Sequence, residues 1–417
     1  MESTGTPSAA SPASTLRAIL TIPVIVASLG YFVDIYDLIL FSIVRISSLK
    51  SIGIQGQELL DQGVFLLNMQ MGGMLLGGIL WGVLGDKKGR VKILFGSIFL
   101  YSIANIANGC INSIGGYAVW RFIAGVGLAG ELGAGVTLVL ENLPKSSRGY
   151  GTMIVASVGV SGAILANVIA NHFDWRMAYF IGGGLGLLLL LMRIGVFESG
   201  MYKEIEDSNI SKGDFFSLFT KRVHFFKYAK SILIGLPIWF AVGILITFSP
   251  EFGKALGATG PVNAGEAVMF CYLGLVFGDF ASGFLSQYFR SRKKVLLLFQ
   301  VLTVLAISVY FMHREVSPAV FYAHCVAIGF AVGYWAIFIT IAAEQFGTNL
   351  RATVASTVPN FIRGMVIPIT FSFQFAKEHL GIIQGAAVVG VICLVIAFYA
   401  LYHLEETFHK DLNYIEE

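Results

Sequence analysis

The amino-acid sequence predicts an all-α integral membrane protein of twelve transmembrane helices in two six-helix bundles, with both termini in the cytoplasm. Three observations predict it. Of the 417 residues, 56% are hydrophobic and only 13% charged, where a soluble domain carries roughly a quarter charged residues. Apolar stretches recur at about the 20 residues a helix needs to cross a hydrocarbon core. They run continuously instead of alternating, which favours helices over barrel strands.

The stretches span residues 17–45, 62–86, 92–111, 115–140, 149–171 and 176–197, then 228–249, 264–289, 295–313, 318–342, 351–375 and 381–403. Basic residues concentrate in KKGRVK (87–92), PKSSR (144–148) and RSRKK (290–294), on one side of the membrane with the central loop and both ends. Lys and Arg mark the cytoplasmic side of short loops. Residues 1–16 carry no basic segment before an apolar run, so they read as a disordered tail and not as a signal peptide. Residues 404–417 form a second tail. Cys110, Cys271, Cys325 and Cys393 have unrelated spacings, which predicts neither disulfides nor a metal site. The net charge of +3 is loop charge and gives no argument for nucleic acid.

The chain repeats itself. GGILWGVLGDKKGRVK begins at Gly77 and GDFASGFLSQYFRSRKK at Gly278, an offset of 201. Glu141 and Arg148 are seven apart, as are Glu344 and Arg351, at an offset of 203. Two loops with nearly one offset predict a duplicated six-helix unit, residues 17–197 and 228–403. The hydrophilic linker 198–227 ends in DFFSLFTKRVHFFK, a segment suited to the membrane surface. Parallel repeats of six helices are a secondary-transporter layout, with the site near the midplane between rocking halves.

Several motifs narrow the class. GVLGDKKGR resembles the loop signature of the major facilitator superfamily, and RFIAGVGLAGE resembles its fourth-helix pattern. YFVDIYDLILF, the AGE ending at Glu131, DWRMAYFIGG and RIGVFES resemble the metabolite:proton symporters within it. The sequence departs from that subfamily at Met74 and Leu75, where an Arg-Pro pair is usual, and Gln287 replaces the acid of the second loop motif. The resemblance implies a gate latch at Gly82, Asp86, Gly89 and Arg90, and a first-helix acid paired with Arg121. Glu141, Arg148, Glu344 and Arg351 are either gating contacts or ordinary loop charges.

Carboxylates inside the membrane are costly and mark function. Asp34 and Asp37 lie three apart on the first helix and are expected to face a cavity with Arg121 as partner. A carboxylate that gains or loses a cation on rocking changes its proton affinity, so these groups with Glu131 form the candidate proton-coupling set. Glu131 alternatively bonds to a neighbouring helix. Arg363 lies between Pro359 and Pro368 and is expected to hold a substrate anion, or else Asp279. His324, Tyr36, Tyr334, Trp335, Asn68 and Gln70 are candidate cavity-lining residues.

No phosphate-binding loop for ATP and no zinc-ligand spacing is found, so transport draws on a gradient, and no cofactor or metal is expected. These features predict a proton-coupled importer of a small polar metabolite, carboxylate or amino-acid-like, acting as a monomer in a cell inner membrane. A proton-driven exporter is the rival, but its fifth-helix signature is not met, because Gly159 and Gly162 are three apart with no proline. A ligand sensor would need a larger cytoplasmic domain than these tails supply.

Overall fold

The computed structural model describes residues 21–56, 58–143, 148–193 and 215–410. Among the described residues, twelve helices are long and apolar enough to cross a membrane. The first half comprises α1 Ile22–Ser51, α2 Glu58–Gly85, α3 Val91–Gly109, α4 Ile114–Val139, α5 Tyr150–His172 and α6 Trp175–Met192. The second comprises α7 Arg222–Ile246, α8 Ala264–Tyr288, α9 Arg292–Met312, α10 Pro318–Glu344, α11 Asn349–Leu380 and α12 Ile382–Tyr402. Helices overrun the apolar stretches because side-chain polarity changes at the interface while backbone hydrogen bonding does not have to. Residues 222–227, read from sequence as linker, are therefore the first turns of α7, and Phe215 beside them is buried with its ring 6.0 Å from Phe361.

Burial sorts the helices into inner and outer. The apolar windows of α1, α4, α7 and α10 are 78–83% buried, whereas those of α6, α9 and α12 are 39% buried and face outward. Glycine lets the paired helices touch. A Cβ on Gly73, Gly77 or Gly125 would strike the α2–α4 backbone contact, and one on Gly274, Gly278 or Gly329 the α8–α10 contact, at offsets of 201, 201 and 204. The repeat read from two loops therefore extends into helix packing.

Mid-membrane breaks repeat too. The α4 hydrogen-bond ladder is interrupted at Ala129–Gly130 and that of α10 at Val332–Tyr334; α5 breaks at Ser161 and α11 at Met365. Broken helices inside a bilayer free polar backbone groups, which must face protein or a polar site. The halves meet mainly along α2 against α11 and α5 against α8. The breaks lie beside that seam.

Candidate functional site

The two acids of α1 point to different partners. The Asp34 carboxylate faces the second half, 3.9 Å from Nη2 of Arg363 on α11, with both side chains fully buried. Nη1 of Arg363 donates to Asn360 Oδ1 at 3.3 Å. Asn360 Nδ2 in turn donates to the Ala129 carbonyl at 2.8 Å, at the α4 break. The guanidinium lies over the rings of Trp335 and Trp239, at 5.5 and 5.8 Å from their centroids. An arginine buried here from α11 is thus tied to α1 by charge and to α4 through Asn360.

Asp279, the alternative partner for Arg363, serves α10 instead. Its Oδ1 accepts from Ala336 N–H at 3.1 Å, where the second part of α10 begins after its break. A carboxylate at a helix N-terminus satisfies an orphan donor and the positive end of the dipole. Tyr334 answers another break, donating its hydroxyl to the Ile234 carbonyl at 3.2 Å.

Arg121 is not the partner of Asp34. It donates to Gln70 Oε1 and reaches the Tyr179 hydroxyl at 3.5 Å, while its guanidinium stacks over Phe41 at 4.2 Å. Tyr179 shares a 2.8 Å hydrogen bond with Tyr117, so α2, α4 and α6 are joined inside the first half. Asp37 faces this side, in electrostatic contact with Arg121, beside Asn105 of α3 and packed against Gly182 of α6. Tyr36 donates to the Ala178 carbonyl at 2.8 Å, also within the half.

Glu131 is held by Arg193 at the end of α6. Nη1 donates to Oε2 at 2.9 Å and Nη2 to Oε1, while Nη2 also reaches the Val26 carbonyl of α1 at 3.2 Å. Gly30 makes room, because a Cβ there would collide with both charged groups. This bidentate pair lies wholly in the first half.

Other expected residues divide. Asn68 joins the halves, accepting from the Thr370 hydroxyl at 3.0 Å. His324 does not join the central group: it bonds to His313 at 2.8 Å and lines a groove of about 480 Å³ between α8, α9 and α10. Its position in α10 faces α9, which periodicity alone does not distinguish from the cavity side. A Cβ on Gly82 would already lie in contact with Ser356 of α11, and Gly89 turns the chain into α3 at φ 94°. Glu344 takes its cation from Arg292 at 3.3 Å and accepts from Thr407 at 2.7 Å, while Arg351 reaches the Phe346 carbonyl at 3.5 Å. The side chains of Asp86, Arg90, Glu141 and Arg148 lie outside the described residues.

Sequence reasoning missed the outer contact. Arg45, fully buried near the end of α1, pairs with Glu251 beyond α7 at 2.8 Å, and Ser42 and Thr247 hydroxyls meet at 3.2 Å beneath it. Toward the other end, Thr152 and Thr340 hydroxyls meet at 3.3 Å. Contacts across the halves thus flank Asp34, Asp279 and Arg363, all at 0% exposure. Arg45 gave the same signal as Asp34, a charge in an apolar run, and Trp239 and Asn360 gave none.

Two helical halves with repeated breaks, closed around buried charges, are the layout of a secondary transporter. The profile of the Major Facilitator Superfamily matches residues 19–369. The chain belongs to that superfamily and is a multi-pass metabolite transporter. It is 27% identical to a putative metabolite transport protein of Haemophilus influenzae, covering 88% of this chain and 94% of the relative. A putative niacin/nicotinamide transporter of Bacillus subtilis is 23% identical, covering 89% and 92% of the two chains. A proline/betaine transporter of Escherichia coli is 25% identical over 68% of this chain and 63% of its own. Among solved structures, the proton:xylose symporter XylE superposes with a TM-score of 0.73 at 16% identity, covering 96% of this chain and 98% of that one.

Proposed function

We propose that this protein is a proton-coupled importer of a small metabolite bearing a carboxylate, working by alternating access in a cell inner membrane. The observation that carries the reading is the buried Asp34–Arg363 pair, whose members belong to opposite halves. Rocking the halves changes that distance, and a carboxylate separated from its cation binds a proton more readily. Arg363 is the substrate contact, since its charge is permanent and its site holds further unpartnered donors. Asp37 and Arg121 support the coupling from within the first half, where rocking leaves their spacing unchanged. Glu131, clasped by Arg193, braces that half.

Relatives named for niacin/nicotinamide and for proline/betaine fit a carboxylate-bearing substrate through niacin, proline and betaine, which carry one, whereas nicotinamide does not. The test is uptake into proteoliposomes of the purified protein under an imposed inward proton gradient. Labelled nicotinate or proline is expected to accumulate above equilibrium and to leak back when the gradient collapses. Equilibration that ignores the gradient overturns the coupling.

A further inference from the structure

The Arg363 guanidinium has one unengaged edge. The Trp335 and Trp239 ring centroids lie 5.5 and 5.8 Å from it, and Nη1 is engaged by Asn360. Nε and Nη2 have no hydrogen-bond partner, although the residue is fully buried. Those two N–H groups lie along one edge and point in parallel, the arrangement that grips a carboxylate through both oxygens. Asp34 does not fill it. At 3.9 Å from Nη2 it supplies charge without a hydrogen bond, and both its oxygens are unpartnered as well. The indole N–H group of Trp239 is one more buried donor without an acceptor. Buried polar groups are rarely left so, because an unsatisfied one loses its water without gaining a partner.

We infer that a substrate monocarboxylate docks on the Nε–Nη2 edge of Arg363 and displaces Asp34, which then takes one proton from water, making transport electroneutral. The inference rests on the function proposed above and specifies its substrate class and stoichiometry. The charges balance. Asp34 and Arg363 sum to zero when paired; adding one anion leaves a buried negative charge unless Asp34 becomes a neutral acid. Nothing nearby substitutes for the lost cation. Besides Arg363 on α11, the charged group acting on Asp34 is Glu131 of α4, itself bound to Arg193; Asp37 lies on its own helix, and Asp279 of α8 stands across Tyr31. On release of the carboxylate, Arg363 recovers Asp34 and the proton leaves on the same side.

The test begins with wild-type protein in weakly buffered detergent solution. Nicotinate and N-acetylneuraminate, both monoanions at neutral pH, are titrated, each beside its own carboxamide, with binding followed by calorimetry and protons by an indicator dye. The expected result is binding of at least one carboxylate with uptake of about one proton per molecule, and at least tenfold weaker binding of its amide, which offers no second anionic oxygen. Binding without proton uptake, equal binding of the amide, or binding of neither carboxylate overturns the inference. Asp34→Asn is expected to bind the carboxylate at least as tightly with no proton uptake, and Arg363→Lys, which keeps charge but loses the fork, to bind at least about tenfold more weakly. In liposomes, a pH gradient at clamped zero potential is expected to drive accumulation, and a potential alone is not. Accumulation driven by both overturns electroneutrality while leaving proton-coupled import standing; accumulation driven by neither overturns both.

Discussion

Two buried acid–arginine pairs in this protein share chemistry and burial but are built in opposite ways. Glu131 and Arg193 close on each other through both carboxylate oxygens, and the arginine spends a further bond on the Val26 carbonyl. Asp34 and Arg363 meet at 3.9 Å with both carboxylate oxygens and two guanidinium nitrogens unengaged. The first pair lies inside one half; the second crosses the seam. A pair that keeps one geometry is best fully bonded, because desolvation of both charges must be offset once and permanently. A pair that opens in every cycle cannot be so deep in energy without stalling the carrier.

The largest effect that sharpens this contrast is on uphill transport. Asp34→Asn is expected to abolish gradient-driven accumulation, on the order of a hundredfold, while exchange of labelled for unlabelled substrate across the liposome membrane continues. Glu131→Gln, normalised to folded protein, is expected to keep accumulation within about threefold, as a brace does not titrate in the cycle. Equal losses in both variants erase the distinction between the pairs.

Stability is expected to rank the other way. Removing Glu131 leaves the Arg193 guanidinium buried without its anion, a change that costs about 3–5 kcal/mol in buried pairs. Thermal unfolding in detergent should show Glu131→Gln melting well below wild type, with the double variant Glu131→Leu, Arg193→Met less damaged than either single charge removal. Gly30→Ala should mimic the loss, since its Cβ collides with both partners.

What the sequence disclosed, and what it hid, follows the same physics. Each carboxylate in an apolar run was legible as costly to leave facing lipid, and Asp34, Asp37, Glu131 and Asp279 are all buried within the protein. Their partners were not legible. Three residues along a helix turn through about 300°, so Asp34 and Asp37 are some 60° apart around α1. That angle suffices to send one toward α11 and the other toward α4 and α6, and only the packing of the halves decides which. The repeat was visible in the loops, whereas the helix breaks needed coordinates, since Ala129–Gly130 and Val332–Tyr334 carry no proline. Arg193 follows α6 directly, residues 194–197 of the expected span lie outside the described residues, and its role depends on Gly30, 163 residues away in sequence but adjacent in space.

The outer contact offers an intermediate case, crossing the seam like Asp34–Arg363 yet bonded at 2.8 Å like the brace. Glu251 is 24% exposed, so the pair is partly screened and contributes about 1 kcal/mol or less. Glu251→Gln is expected to raise the outward-open population by up to about fivefold. In a Cys110→Ser background, which removes the exposed native thiol, Ser42→Cys beneath the contact should react with a membrane-impermeant maleimide faster by that factor. An unchanged rate means that the pair does not hold the outer mouth.

The smallest effect belongs to a cluster that, like the brace, lies within one half. Glu406 caps the start of α9, accepting from the Ser291 hydroxyl and from the N–H groups of Arg292 and Lys293. Thr407 beside it donates to Glu344, which pairs with Arg292. Burial opposes the charge on Glu406, but the hydrogen bonds from Ser291 and from the Arg292, Phe408 and Lys293 backbones outweigh it and hold its carboxyl below the ordinary value of 4.5. A lowered value means that the docked segment is favoured fully above the usual carboxylate range and loses that support as pH falls through the lowered value. Hydrogen exchange in residues 404–410 is therefore expected to be slow at neutral pH and to accelerate, after correction for intrinsic rates, only as pH falls below the ordinary carboxyl value of 4.5. Glu406→Gln should give the fast exchange at pH 7, at a cost of about 1 kcal/mol, with gradient-driven uptake unchanged. If uptake falls with it, the segment takes part in opening the cytoplasmic mouth, and the division into closed pairs that brace and open pairs that cycle is too simple for the second half.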